Sequence, residues 1–186
     1  ASIHHQEVLG VKFPFHPWRR LLLCALPFAA LLTVENPAMT DILYGIAAEH
    51  PTLTDRALMR YADLASQSVV TPIRRYQLYR QALALRPSAA VQAKLLGYLS
   101  GVYALPALML AAEYLDDAQT AAPAAAAVKT IVAKCNPMPG GEAVRKALER
   151  AHEVYKELAK SDADAGYAVD EITGLLGKIP ADGSAV

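Results

Sequence analysis

Histidine and cysteine are the side chains best suited to metal or thiol chemistry, and in this chain they are scattered. No histidine forms an H-x-x-x-H pair or lies at metal-ligand spacing from a cysteine; the five are His4, His5, His16, His50 and His152. The two cysteines, Cys24 and Cys135, lie in apolar segments far apart, so we expect reduced, buried thiols rather than a disulfide framework. The sequence therefore predicts no metal site and no cofactor.

Carboxylates and glycines, which serve acid–base catalysis and phosphate binding, have structural interpretations here. Asp116 and Asp117 end a predicted helix, and Asp162 with Asp164 precede the last helix as expected caps. A glycine pair at 140–141 precedes a helix without the G-x-x-x-x-G-K-S/T pattern, which favours a loop-to-helix hinge. No nucleophile elbow or dinucleotide fingerprint appears. We therefore predict no catalytic residues, and a chain that is at most a structural subunit of an enzyme complex.

Two groups of residues are candidates for contact with a protein partner. Arg74 and Arg75 belong to a local basic patch on one predicted helix, which suits an acidic partner. Phe13, Phe15 and Trp18 lie in or border an N-terminal segment without helical periodicity, and aromatic side chains are costly to leave exposed. We expect this segment to be extended and to pack on a partner.

Charge and composition limit the class of protein. The 186 residues carry 18 basic and 18 acidic side chains, so the formal net charge is zero and the surplus of cations typical of nucleic-acid binding is absent. Alanine and leucine dominate, which favours helices. The composition predicts a single helical domain that does not bind nucleic acid.

One apolar stretch raises the question of a membrane. Residues 21–34 are apolar except for Thr33, but fourteen residues of helix rise only about 21 Å against a hydrocarbon core of about 30 Å. We therefore predict a buried helix of the fold and no transmembrane span. A signal or anchor at residues 19–34 of a periplasmic scaffold stays open as an alternative.

Proline and tyrosine recur with a regular period. Pro51, Pro87 and Pro123 are 36 residues apart, and a tyrosine recurs every 35 residues at 44, 79 and 114 and again at 155. Such a period indicates stacked supersecondary units. The predicted helix pairs are 18–33 with 38–49, 53–67 with 72–86, 88–101 with 104–118, and 123–135 with 141–160, followed by a helix at 163–178.

The pattern as a whole predicts an all-α fold. We expect an α-solenoid of about four helix-turn-helix repeats, with a period of about 35–36 residues, closed by a C-terminal capping helix. The expected organisation is an extended N-terminal segment at 1–16, repeats at 17–161, and a capping helix with a tail at 162–186.

The repeats resemble the tetratricopeptide and pentatricopeptide superfamily. The second unit ends Ala-Leu-Arg86-Pro87, and the third resembles a pentatricopeptide unit: PSAAVQAKLLGYLSGVYALPALMLAAEYLDDA, residues 87–118. Within the superfamily, the chain is similar to the small pentatricopeptide-like accessory subunits of euglenozoan mitochondrial ATP synthase. That resemblance implies a non-catalytic subunit in the mitochondrial matrix that binds the α subunit of the catalytic head, without forming a homo-oligomer. An organellar RNA-binding repeat protein remains an alternative.

Overall fold

The regular elements of this chain are α-helices. The computed structural model describes residues 39–179, and the part it describes contains eight helices and no strand. In chain order they are α1 (Thr40–Glu49), α2 (Thr54–Gln67), α3 (Pro72–Ala84), α4 (Ala89–Leu99), α5 (Leu105–Ala112), α6 (Ala121–Lys134), α7 (Glu142–Leu158) and α8 (Asp164–Leu176). The predicted helix at 18–33 and the predicted contact residues Phe13, Phe15 and Trp18 lie outside the described residues.

The helices pack as successive pairs, which confirms the predicted all-α solenoid-like arrangement. We call α2, α4, α6 and α8 the A helices, and α1, α3, α5 and α7 the B helices. Each helix contacts the next one along the chain, and the A helices also contact one another in the order α2, α4, α6, α8. The B helices α3, α5 and α7 do the same. Each pair therefore covers the apolar face of its neighbour, as in stacked repeats.

Side-chain bonds show that neighbouring A helices run parallel and in register. Tyr98 of α4 donates a hydrogen bond of 2.7 Å to Asp63 of α2, 35 residues earlier. The backbone N–H of Ser88, just before α4, donates to Asp55 in the first turn of α2, 33 residues earlier. Both ends of α4 thus meet the matching ends of α2. The sequence repeat therefore corresponds to two helices stacked in the same orientation.

The core is built from leucines in the middle pairs and from alanines in α6. Leu58, Leu95 and Leu108 are fully buried on α2, α4 and α5. On α6, Ala124 and Ala127 have no exposed surface, and this helix contacts α4, α5, α7 and α8. Small side chains let four helices approach one axis closely, and alanine loses no side-chain entropy there.

The periodic tyrosines lie on or directly after the B helices and reach toward neighbouring A helices. The rings of Tyr44 on α1 and Tyr61 on α2 have centroids 6.3 Å apart, and those of Tyr79 on α3 and Tyr98 on α4 are also 6.3 Å apart. Aromatic pairs at this spacing add to the stability of the helix contact. Two of the four periodic tyrosines, Tyr44 and Tyr79, thus make a ring contact with a tyrosine of the next A helix.

The predicted helix at 104–118 ends earlier than expected, at Ala112. Residues 113–120 form turns instead, with the N–H of Tyr114 and Leu115 donating to carbonyls three residues earlier. The Thr120 hydroxyl donates to the Tyr114 carbonyl at 3.0 Å, and Leu115 is buried. Aspartate and threonine side chains compete with helical backbone bonds, so this Asp-rich segment leaves the helix.

The three periodic prolines all mark the junction from a B helix to the next A helix. Pro51 follows α1 and Pro87 precedes α4, whereas Pro123 lies inside the first turn of α6. A proline is tolerated there because the N–H it lacks would have no partner within the helix. Because the prolines lie at different positions relative to the helix starts, the A helices begin at 54, 89 and 121, which are 35 and then 32 residues apart. The helix starts are therefore spaced less regularly than the prolines.

Candidate protein interface

The predicted contact residues Arg74 and Arg75 lie in the first turn of α3. Thr71 caps this helix, its hydroxyl oxygen accepting the N–H of Arg74 at 3.3 Å, and Pro72 occupies the first helical position. The Arg75 guanidinium donates to the carbonyl of Ser68 at 3.0 Å, which ties the α2–α3 turn together. Arg74 is exposed. The two neighbours thus differ, since Arg75 is half-buried in the turn and Arg74 faces solvent.

Exposed apolar side chains lie in the α2–α3 turn next to Arg74 and around the α4–α5 turn, which the sequence did not predict. Val69, in the α2–α3 turn, is 102% exposed relative to its reference state, and Ile73 in α3 is 52% exposed. The α4–α5 turn carries Tyr103 and Leu105, also about half exposed at 52% and 47%. The sequence does place valines and a tyrosine within turns, which could have indicated an exposed apolar surface. Only the structure shows which of these side chains are exposed and which are buried. Val102, next to Tyr103, is 1% exposed.

The most connected polar cluster among the described residues joins α2 to α4. The Asp63 carboxylate accepts from Tyr98 at 2.7 Å and forms an ion pair with Lys94, also at 2.7 Å. Burial alone would raise the pKa of Asp63, but the bonds from Lys94 and Tyr98 outweigh it and hold that pKa below its usual value. The bond to Asp63, followed by burial, raises the pKa of Tyr98.

These shifts argue for a structural role. At neutral pH the carboxyl stays ionised and the phenol stays protonated, so neither group is poised to transfer a proton. Both side chains instead hold α2 and α4 in register. Asp63 therefore acts as a link between repeats.

A groove of about 420 Å³ lies between α6 and α8. Lys129, Lys134, Asp170, Glu171 and Lys178 contribute its charged lining. Lys129 forms an ion pair with Glu171 and lies 5.9 Å from the ring centre of Tyr155. Because the lining holds three cations and two carboxylates, which partly neutralise one another, the groove does not strongly favour either sign of ligand.

The histidines within the described range make structural contacts. His50 follows α1, and its carbonyl accepts the N–H of Leu53 at 2.8 Å, which closes the turn into α2. His152 on α7 lies 3.2 Å from the hydroxyl of Thr173 on α8. In residues 39–179, no three side chains of histidine, cysteine, aspartate or glutamate are grouped so as to hold a metal ion.

Cys135 differs from its prediction. Its thiol is free, but it is half-buried at the end of α6 rather than fully buried. Burial nevertheless raises the pKa of this thiol, which lowers the fraction of reactive thiolate.

The prediction that Asp162 and Asp164 both precede the last helix as caps is wrong for Asp164, which is the first residue of α8; its N-cap, Ala163, makes no side-chain cap bond. Asp117 accepts the N–H of Gln119 at 2.9 Å, and Asp162 accepts that of Asp164 at 3.0 Å. Gly141 stands at the start of α7 with φ of 98°, a left-handed conformation that glycine adopts without strain. Asp116 forms an ion pair with Arg150 on α7. These residues shape turns and helix ends.

No described helix is both long and apolar enough to cross a lipid bilayer. Comparison with protein-family models, with curated proteins and with solved structures finds no match to this chain.

Proposed function

We propose that the chain is a non-catalytic accessory subunit of mitochondrial ATP synthase. It binds the α subunit of the catalytic head through its solenoid surface, in the matrix. The proposal rests on the resemblance of residues 87–118 to a pentatricopeptide unit and on the packing of the helices. Stacked helix pairs present extended surfaces that suit a protein partner.

The observation that carries the proposal is the in-register stacking of the A helices. Tyr98 of α4 meets Asp63 of α2, and Lys129 of α6 meets Glu171 of α8, 42 residues later in sequence. In both cases charged and polar side chains that could serve chemistry are used to join repeats. A rigid stack whose polar groups are occupied in this way supports a role in assembly rather than catalysis.

Affinity purification of the tagged native chain from mitochondria tests the proposal. We expect the α and β chains of ATP synthase to co-purify in constant ratio with the tagged chain. Recovery of a different stable complex would contradict this assignment and leave the fold unaffected. Filter binding of single-stranded RNA over a salt series is the second measurement, because a steep loss of affinity with salt would favour the RNA-binding alternative.

A further inference from the structure

The turns of the stack fall on two opposite edges. Consecutive helices are joined by short links and run antiparallel, so all links from an A helix to its B helix lie on one side. The bond from Arg145, in the first turn of α7, to the carbonyl of Ile179, just after α8, joins a B-helix start to an A-helix end at this same side. We call this side the turn edge; it comprises residues 40–42, 66–75, 99–106, 133–142 and 175–178.

Large apolar side chains that remain exposed concentrate on the turn edge. In the described range, six large hydrophobic side chains are strongly exposed, and five of them lie there: Ile42, Val69, Ile73, Tyr103 and Leu105. The sixth, Tyr167, is 75% exposed and lies at the start of α8 on the opposite side. Single exposed apolar residues are ordinary, but a row of them along one edge marks an interaction surface.

Charge is divided between the two edges although the chain is neutral overall. Within these ranges the turn edge has four cations against two carboxylates, not counting Arg145 beside it: Arg74, Arg75, Lys134 and Lys178 against Asp41 and Glu142. The opposite side, the acidic edge, comprises residues 48–56, 84–91, 112–122 and 157–166 and holds eight carboxylates against three cations. The formal charges are therefore +2 and −5 on the two edges.

We infer that the turn edge is the docking surface of the chain and that its partner is a protein presenting an apolar patch with an acidic rim. The inference rests on the proposed function for the existence of a protein partner. Arginine and tyrosine are enriched at the points of protein interfaces that contribute most to affinity, and Arg74 and Tyr103 supply both beside aliphatic contacts. Complementary charge selects an acidic partner and repels a basic one.

Two other occupants fit the surface less well. A bilayer is attracted by clusters of several adjacent cations, whereas here Arg74 and Arg75 are separate from Lys134 and Lys178. A second copy that paired its own turn edge with this one would bring the net positive charge of both copies together, and one that offered its acidic edge would present no large exposed apolar side chain within those ranges. An acidic-rimmed protein surface satisfies both the apolar row and the cations.

Two exposed tyrosines provide a matched test. We expect Tyr103→Ala to lower the affinity for the co-purified partner at least about tenfold, since an anchoring aromatic is removed. Tyr167→Ala, directly after the acidic edge and away from the turn edge, should leave the affinity within about twofold. Arg74→Glu should weaken binding and reduce its salt dependence, whereas Arg80→Glu, further along the same helix, should have a smaller effect. Circular dichroism of each isolated variant establishes that it is folded.

Hydrogen exchange of the whole chain, free and in its purified assembly, provides the independent readout. Amides at 68–75 and 99–106 should be protected only in the assembly. Equal exchange in both states, or equal affinities of Tyr103→Ala and Tyr167→Ala, would overturn the inference and leave the proposed function standing. Protection of these amides by an acidic partner unrelated to ATP synthase, with the same variant effects, would support the inference and overturn the proposed function.

Three further outcomes would show that something other than an acidic protein partner covers the turn edge. If the amides of the turn edge are already protected in the free monomer, another part of the chain covers this edge. If sedimentation shows a dimer that Tyr103→Ala converts to a monomer, the turn edge binds a second copy. Flotation with vesicles of phosphatidylcholine and cardiolipin that Val69→Ser abolishes would assign it to a bilayer. Each of these overturns the inference, and a chain that forms no stable complex overturns it together with the proposed function.

Discussion

Tyr61 is an instance of a single polar group that fixes two helices. Its ring is fully buried on α2, its hydroxyl donates to the carbonyl of Leu78 on α3 at 2.9 Å, and it accepts from Gln81 at 2.7 Å. Burial raises the pKa of this phenol further above its usual value, so it remains a neutral donor. The hydroxyl therefore orients α3 on α2 as well as filling space.

We expect Tyr61→Phe to lower the free energy of unfolding by about 1–2 kcal/mol, because the Leu78 carbonyl and the Gln81 amide lose a buried partner. Urea denaturation followed by circular dichroism measures the change. Tyr103→Phe is the matched control, since Tyr103 is half exposed, and it should stay within about 0.5 kcal/mol. Equal midpoints for the two variants would contradict the role of the Tyr61 hydroxyl.

Asp63 gives a pH-dependent prediction. We expect Asp63→Asn to lower the free energy of unfolding by about 1–2 kcal/mol at neutral pH, a modest figure because the side chain is 30% exposed and partly screened. The pKa of Asp63 is lower in the folded chain than in the unfolded one. Its contribution is therefore complete above the unfolded value of about 3.9 and is lost as the pH falls through the folded value.

The difference between wild type and Asp63→Asn should accordingly shrink when urea denaturation is moved from about pH 6 to about pH 3. Asp170→Asn, on the exposed face of α8, is the control. We expect it to change the free energy of unfolding by less than about 0.5 kcal/mol at either pH. A difference that stays constant with pH would show that the ionised carboxylate does not stabilise the α2–α4 contact.

At the scale of elements, helix starts differ in how they are capped. The hydroxyl of Thr71 accepts a backbone N–H of α3, whereas Ser88, in the same position before α4, makes no such bond. We expect Thr71→Ala to cost about 1 kcal/mol of unfolding free energy and Ser88→Ala to cost less than half of that. Thermal and urea unfolding of the two variants provide the comparison, and a larger loss from Ser88→Ala would refute the assignment of the cap.

Most helices could be predicted from the sequence, and their exceptions have local causes. The apolar spacing, together with the suitability of proline for a first helical position, predicted the correct first residue of α3, Pro72. The predicted end at 118 was wrong because Asp117 and Thr120 bond to nearby backbone, which hydrophobic periodicity does not register. The beginning of α6 was placed two residues late because Pro123 was treated as its first residue.

At the scale of the whole molecule, α8 closes the stack. Ala165, Ala168 and Ile172 are buried against the preceding pair, while Asp164, Tyr167 and Asp170 are exposed. Leu175 and Leu176, near the end of the helix, are only half-buried. A final helix with one apolar and one polar face is what the end of a solenoid requires, because no further repeat covers it.

We expect Ile172→Ala to lower the free energy of unfolding by about 2–4 kcal/mol, since it opens a cavity under the last helix. Deletion of residues 162–186 should be more severe and cause aggregation, because α6 and α7 lose their apolar cover. Urea midpoints and sedimentation velocity measure both effects. Tyr167→Ala, at an exposed position of α8, is the control; a loss as large as that of Ile172→Ala would contradict the proposed cap.

The sequence by itself determined the helical class, the repeat and the approximate position of each described helix, because apolar spacing and proline placement are local properties of the chain. The division of a neutral chain into an apolar, basic edge and an acidic edge was decided only by the tertiary structure. Val69 and Tyr103 are 34 residues apart in sequence and share one edge only because successive pairs stack in register. Neutrality of the whole chain is a sum over residues, whereas the surface met by a partner depends on which residues the packing brings together.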